Sequence, residues 1–203
     1  MGASQWFCQQ AAALGVVADA ASWHIGYGRH MMNAIVYATR HGATAEVAAD
    51  IAAQLGGHTD LFNLADGTPD LSRYDLVVLG TPVYLGQPSR MMTRFLRHVS
   101  LEQHRVGLYV IGLAATPELQ SEELSAAYPQ YLRDHAEAAV FIQGLFPQEK
   151  LTDLERTHVQ KASYLTENLS GINADEVATL AATLHAVNSE KCSKLASLAM
   201  AAA

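Results

Sequence analysis

Asn33-Ala34-Ile35-Val36-Tyr37-Ala38 runs directly into Thr39-Arg40-His41-Gly42-Ala43-Thr44. The first half is a short apolar run of strand formers that stops at a turn-and-glycine segment, as a parallel strand buried on both faces should. From Thr44 to Leu55 the period changes. Val47, Ile51 and Leu55 recur at four-residue spacing, Glu46 lies in the first turn where the positive end of the helix dipole favours it, and Gly56-Gly57 ends the run. A buried strand, a tight loop and an amphipathic helix therefore follow one another.

The alternation continues toward the carboxyl terminus. Thr59 to Leu64 is a second strand, and the turn-rich Asp66-Gly67-Thr68-Pro69 leads through Tyr74-Asp75 to Leu76-Val77-Val78-Leu79-Gly80, the expected central strand. Pro88 is read as opening the next helix, with Met91, Met92, Phe95, Leu96 and Val99 on its buried face and Arg90, Arg94 and Arg97 on the others. Val106 to Ile111 and Ala138 to Gln143 are the fourth and fifth strands. Between them, Thr116 to Ala136 is part helix, interrupted near Pro129. Capping-box spacing at Thr152/Glu155 and Asn173/Glu176 predicts helices over Thr152 to Asn168 and Ala174 to His185. Five strands alternating with helices imply an α/β fold: a five-stranded doubly wound parallel sheet with helices on both faces. Ligands of such sheets bind beyond the carboxyl ends of the strands, which directs attention to the segments after strands one, three and four.

Composition narrows the function. The chain has 203 residues, 13 Lys+Arg against 20 Asp+Glu, and a formal charge of -7. Nucleic-acid binding wants clustered cations, so this acidity argues against it. No apolar run is long enough to span a bilayer. Cys8 and Cys192 lack CxxC spacing and are read as incidental thiols in a reducing, cytoplasmic setting. Residues 1–30 are neutral and hold both tryptophans, Trp6 and Trp23. They are expected to be an extension or a start-site artefact ahead of a natural start at Met31 or Met32. The domain is expected over 31–190 and a frayed tail over 191–203. The histidines show neither HxH nor HExxH spacing, so no metal site is expected. No GxSxG nucleophile elbow is present, and a receiver domain would need an Asp where this chain has Gly80-Thr81.

Three loops remain as candidates. Thr39-Arg40-His41-Gly42-Ala43-Thr44 can be an anion cradle of backbone N–H groups and hydroxyls at a helix start, or Thr44 can simply cap the helix. It lacks both GxxxxGK(S/T) and GxGxxG, so the anion it suits is a lone phosphate. Thr81-Pro82-Val83-Tyr84-Leu85-Gly86 makes a rigid, mostly apolar wall for a planar ring, with Tyr84 either stacking on a ligand or packing on the next helix. Gly112-Leu113-Ala114-Ala115 lets backbone approach a ligand closely, or is a plain turn. Arg90, Arg94 and Arg97 are either a solvated face or a docking face for an acidic partner.

Together these loops resemble the flavodoxin-like family over Met32 to Leu184. That resemblance implies FMN, with its phosphate in the first loop and its isoalloxazine ring between the second and third. The family's first loop has hydroxyl residues at its first, third and last positions; this chain keeps Thr39, Gly42 and Thr44 and carries His41 at the third. Arg40 followed by a polar residue, and Pro82-x-Tyr84-x-Gly86 before Ser89-Arg90-Met91-Met92, look like the branch that includes menaquinone-dependent protoporphyrinogen dehydrogenases. The implied function is a soluble carrier of electrons between a redox partner protein or a small-molecule donor and acceptor. Alternatives are a dehydrogenase acting on a quinone or porphyrinogen and a cofactor-free interaction module.

Overall fold

Both faces of the central strands are buried, and this decides how the chain winds. In the computed structural model, residues 32–84, 86–144, 153, 157 and 171–201 are described, the last eleven of them by their backbone. The strands are β1 (Met32–Tyr37), β2 (His58–Asn63), β3 (Leu76–Tyr84), β4 (Arg105–Gly112) and β5 (Ala138–Gln143). The helices are α1 (Ala43–Leu55), α2 (Arg90–Leu96), α3 (Pro117–Ala127), α4 (Gln130–His135) and α5 (Ala174–Ala201). The five strands pair in parallel in the order β2-β1-β3-β4-β5, and the two residues Gln87–Pro88 fold back antiparallel on the end of β3. This is the doubly wound order of the flavodoxin-like fold.

Alternate residues of each central strand serve opposite faces. Ile35, Val78, Tyr109 and Ile111 pack beneath α1 and α5 with Val47, Ile51, Leu180 and Leu184. Val36, Val77, Leu79 and Val110 pack on the other face with Met92, Phe95, Tyr128 and Leu132. α1, which leaves β1, and α2, which leaves β3, therefore cover opposite faces. Since β1 and β3 are neighbours, a crevice opens between them at their carboxyl ends.

The expected strands lie within a residue or two of those observed, except β3. It runs on through Thr81, Pro82, Val83 and Tyr84, which the sequence places in a loop. The cause is tertiary: β4 is long enough to pair as far as Pro82↔Ile111, and Gln87–Pro88 then pairs back onto Val83 and Tyr84. Pro82 is tolerated because β1 stops pairing at Gly80, so one flank of β3 has no ladder there. Pro88 accordingly belongs to this return strand. α2 starts at Arg90, and Met91 is exposed instead of joining Met92 and Phe95 in the core.

Pro129 divides α3 from α4, as expected. Asn173 caps α5, its Oδ1 accepting from the Asp175 N–H at 3.1 Å. The Glu176 carboxylate does not complete a capping box but reaches across to accept from the Gln143 N–H at 2.7 Å, tying α5 to the end of β5. α5 continues past the expected stop at His185 to Ala201, so the backbone of most of the expected tail is helical. One compact unit, Met31–Cys192, holds this sheet. The expected extension 1–30 and most of the helix expected over 152–168 lie outside the described residues. Among the described residues, no helix is long and apolar enough to cross a membrane.

Candidate functional site

At the carboxyl end of β1 the chain makes one tight turn before α1. The Thr39 hydroxyl oxygen accepts from the Gly42 N–H at 3.0 Å, which closes the turn and leaves the hydroxyl proton to donate. Gly42 is the N-cap of α1, with φ of 100° and open space where a Cβ would stand. Its carbonyl accepts from Ala45 and Glu46 at 3.0 Å each. Among the described residues, no side chain caps the helix. Thr44, the alternative cap, instead lies inside the first turn and is buried, like Ala43. The first-turn N–H groups and the positive end of the helix dipole thus lie at the sheet edge with no capping side chain among the described residues.

The end of β3 comes to the same place. Tyr84 is an even-numbered residue of β3 and so falls on the α1 face of the sheet. There its ring meets His41 edge-on, with centroids 5.7 Å apart and planes at 89°, and the Arg40 guanidinium lies 5.9 Å from its centroid. Such contacts are worth about 0.5–1.5 kcal/mol each at a partly exposed site. They hold the first and second loops together.

Thr81, Pro82 and Val83 are buried in β3. Val83 joins the core on the α2 face, and the Thr81 hydroxyl oxygen accepts from the Ser89 N–H at 3.3 Å, fixing the return of the chain after Gly86. Leu85 lies outside the described residues. At the end of β4, Gly112 closes the strand, Leu113 packs toward the α1 face, and Ala114 is buried on the other. The Ala114 carbonyl accepts from the side-chain amides of Gln120 and Gln143, each at 3.2 Å. These bonds orient a loop that Ala115 completes and from which Thr116 caps α3, accepting from the Leu119 N–H at 3.4 Å. Side-chain contact thus joins the first loop to the second, whereas the third adjoins the second through the pairing of β3 with β4.

Several supporting residues escape a reading of the sequence. Tyr109, fully buried in β4, donates its hydroxyl to the Thr44 carbonyl at 3.0 Å and anchors the first turn of α1 to the sheet. Its ring tip fills the space above Gly80, where a Cβ would overlap it. A glycine inside a strand signals such an approach. Tyr128 reaches the sheet from the opposite face, its hydroxyl donating toward the carbonyls of Leu79 and Tyr109 at 2.8 and 2.9 Å. Burial pushes both phenols well above their ordinary range, so they remain donors at any working pH. Glu123 of α3 sits where a Cβ on Gly112 would be, beside Phe141. Its Oε2 is buried with no hydrogen-bond partner among the described residues, and burial pushes the carboxyl up to about 7.

A point mutant of the Fusobacterium nucleatum flavodoxin, bound to flavin mononucleotide, is 25% identical over 42% of this chain, with a TM-score of 0.38. The match spans 54% of that flavodoxin, little more than half its length. An oxidoreductase from Corynebacterium diphtheriae is 15% identical over 80% of this chain and 99% of its own, with a TM-score of 0.47. The rubredoxin oxygen:oxidoreductase of Desulfovibrio gigas is 12% identical over 75% of this chain and 37% of its own, with a TM-score of 0.41. No curated protein matches. The flavodoxin domain family is matched over residues 34–172, most of the chain. The chain belongs to the flavodoxin domain family.

Proposed function

We propose that this chain binds FMN non-covalently at the rim formed after β1, β3 and β4 and serves as a carrier of electrons. The observation that carries the reading is the start of α1 at its glycine N-cap, Gly42, with the adjoining His41 in ring contact with Tyr84 at the end of the neighbouring strand β3. An uncapped helix start with a hydroxyl at its turn suits a singly attached phosphate. An aromatic ring at the adjoining strand end suits a flat ring system. The residues present therefore fit FMN.

In this reading Thr39 donates its hydroxyl to the phosphate, and the N–H groups of Ala43 and Thr44 surround it. Arg40 adds a positive charge, and His41, Gly42 and Thr44 shape the loop. Tyr84 turns from its contacts with Arg40 and His41 to lie on the ring, while Thr81, Pro82 and Val83 hold that wall rigid and Leu85 and Gly86 complete it. Gly112, Leu113, Ala114 and Ala115 bring backbone against the other side of the ring. FMN, when bound, supplies electron transfer singly or in pairs. The net charge of -7 disfavours added negative charge at the site and so lowers the potential. Cysteine usage supports a cytoplasmic setting.

Loading purified protein with FMN and identifying the flavin after heat release tests the reading. A colourless protein that fails to take up added FMN overturns it. Tyr84→Ala is expected to weaken FMN retention at least tenfold, about 1.4 kcal/mol, and unchanged retention would remove Tyr84 from the site. The likeness to menaquinone-dependent protoporphyrinogen dehydrogenases, carried by Arg40 and by Pro82-x-Tyr84-x-Gly86, favours a second reading as a quinone- or porphyrinogen-linked dehydrogenase. Anaerobic reduction by NADH, NADPH or a quinol separates the two.

A further inference from the structure

Residues 76–101 contain Arg90, Arg94 and Arg97 and no Asp or Glu, although the whole chain carries 20 acidic residues. The three arginines fall at i, i+4 and i+7 along α2 and its C-cap, which places them on one stripe. All three are exposed, as are the neighbouring Met91 and His98, while Met92 and Phe95 are buried. None of the three arginines has an acidic partner among the described residues. A solvated face in an acidic protein ordinarily intersperses both signs; this one is a single-signed stripe with an exposed methionine at its margin. Arg and Met are also the residues enriched at protein interfaces.

Position adds to composition. Only Ser89 separates the return strand Gln87–Pro88 from α2, so the stripe starts at the base of the loop that carries Tyr84. Arg40, also exposed, adds positive charge at the same rim. We propose that α2, through Arg90, Met91, Arg94 and Arg97, is the docking face for an acidic electron-transfer protein, which it seats beside the second loop. The electron-transfer role rests on the FMN reading above; the docking face rests on charge and exposure alone. Opposite charge steers encounter, and the exposed Met91, at the margin of the stripe, gives the docked pair an apolar contact.

The experiment measures binding of a plant-type [2Fe–2S] ferredoxin, a strongly acidic protein, by calorimetry to the flavin-free and the FMN-loaded chain. Arg94→Glu/Arg97→Glu is the variant, and circular dichroism establishes that it folds. Binding to the wild-type chain in both states, weakened about tenfold or more by the double reversal and by raising NaCl from about 0.05 M to about 0.3 M, supports the face. Retained binding in the variant overturns it, as does no binding by a wild-type chain that takes up FMN. A chain that binds ferredoxin through these arginines and takes up no FMN keeps the docking face and removes the flavin reading. Self-association abolished by the reversal, without ferredoxin binding, would make a second copy the occupant and overturn the proposal. Capture by phosphatidylserine vesicles in place of ferredoxin would overturn it likewise.

Discussion

Replacing Gly80 by Ala tests the coupling of core to site. The added Cβ would overlap the ring tip and hydroxyl of Tyr109, a side chain with no exposed surface into which to retreat. Either β3 and β4 separate locally or Tyr109 leaves its rotamer, and the second choice breaks its hydrogen bond to the Thr44 carbonyl. Overpacking of this kind costs about 1–3 kcal/mol and the lost buried hydrogen bond about 1 more, so Gly80→Ala should destabilise by about 2–4 kcal/mol. For a domain of this size that is a fall in Tm of roughly 5–15 °C. Urea denaturation gives the free energy directly, and a double-mutant cycle gives the cause. Tyr109→Leu removes the overlapping atoms; alone it costs about 2–4 kcal/mol as a cavity. The double variant should lose at least about 1 kcal/mol less than the sum of the two single losses. Because Tyr109 anchors the first turn of α1, Gly80→Ala should also weaken FMN retention. Additivity within about 0.5 kcal/mol would show that the tyrosine does not keep position 80 small, and would refute the argument.

Glu123→Gln should change the pH dependence of stability. The Glu123 carboxyl is raised from 4.5 to about 7 by burial, so the folded state holds a proton the unfolded state has lost across that window. Stability attributable to this group is therefore greatest below pH 4.5, declines as pH rises, and is lost above about 7. The Gln variant should be more stable than wild type by about 1–2 kcal/mol at pH 8, after discounting for a carboxyl that is only partly buried, and nearly equal to it at pH 4. Equal stabilities at both pH values would contradict this. At Gly42, a φ of 100° with open space around it makes Ala a pure backbone perturbation. Gly42→Ala should cost about 1–2 kcal/mol in a thermal melt. Asn33, fully buried in β1, donates to the Gly56 carbonyl and the Thr59 hydroxyl and accepts from the Asn188 amide. Asn33→Ala should cost about 2–3 kcal/mol in urea by orphaning these partners, and a loss under 1 kcal/mol would show that water replaces them.

Much of the fold is legible because its strands are short apolar runs punctuated by glycine and turn residues, and its first helix has a clean four-residue period. The first loop is legible for the same reason. Its glycine and hydroxyls sit where a parallel strand must hand over to a helix, and only the choice of cap, Gly42 over Thr44, needed the backbone. The start of the second loop is strand in the structure. Leu76 to Tyr84 reads as strand and then loop because Gly80 and Pro82 are poor strand residues; pairing with β4 and the return of Gln87–Pro88 override that preference.

By itself, then, the sequence determined the alternation of elements, the parallel sheet and the three segments in which to seek a site, since local period, turn chemistry and chain connectivity are written residue by residue. Only the tertiary structure decided which side chains support that site. A strand buried on both faces is apolar at every position, so its pattern does not say which face a residue serves. That parity puts Tyr84 beside Arg40 and His41, Tyr109 beneath Thr44, and leaves Glu123 against Gly112. Each contact joins residues on different elements, and the packing of neighbouring strands and helices alone brings them together.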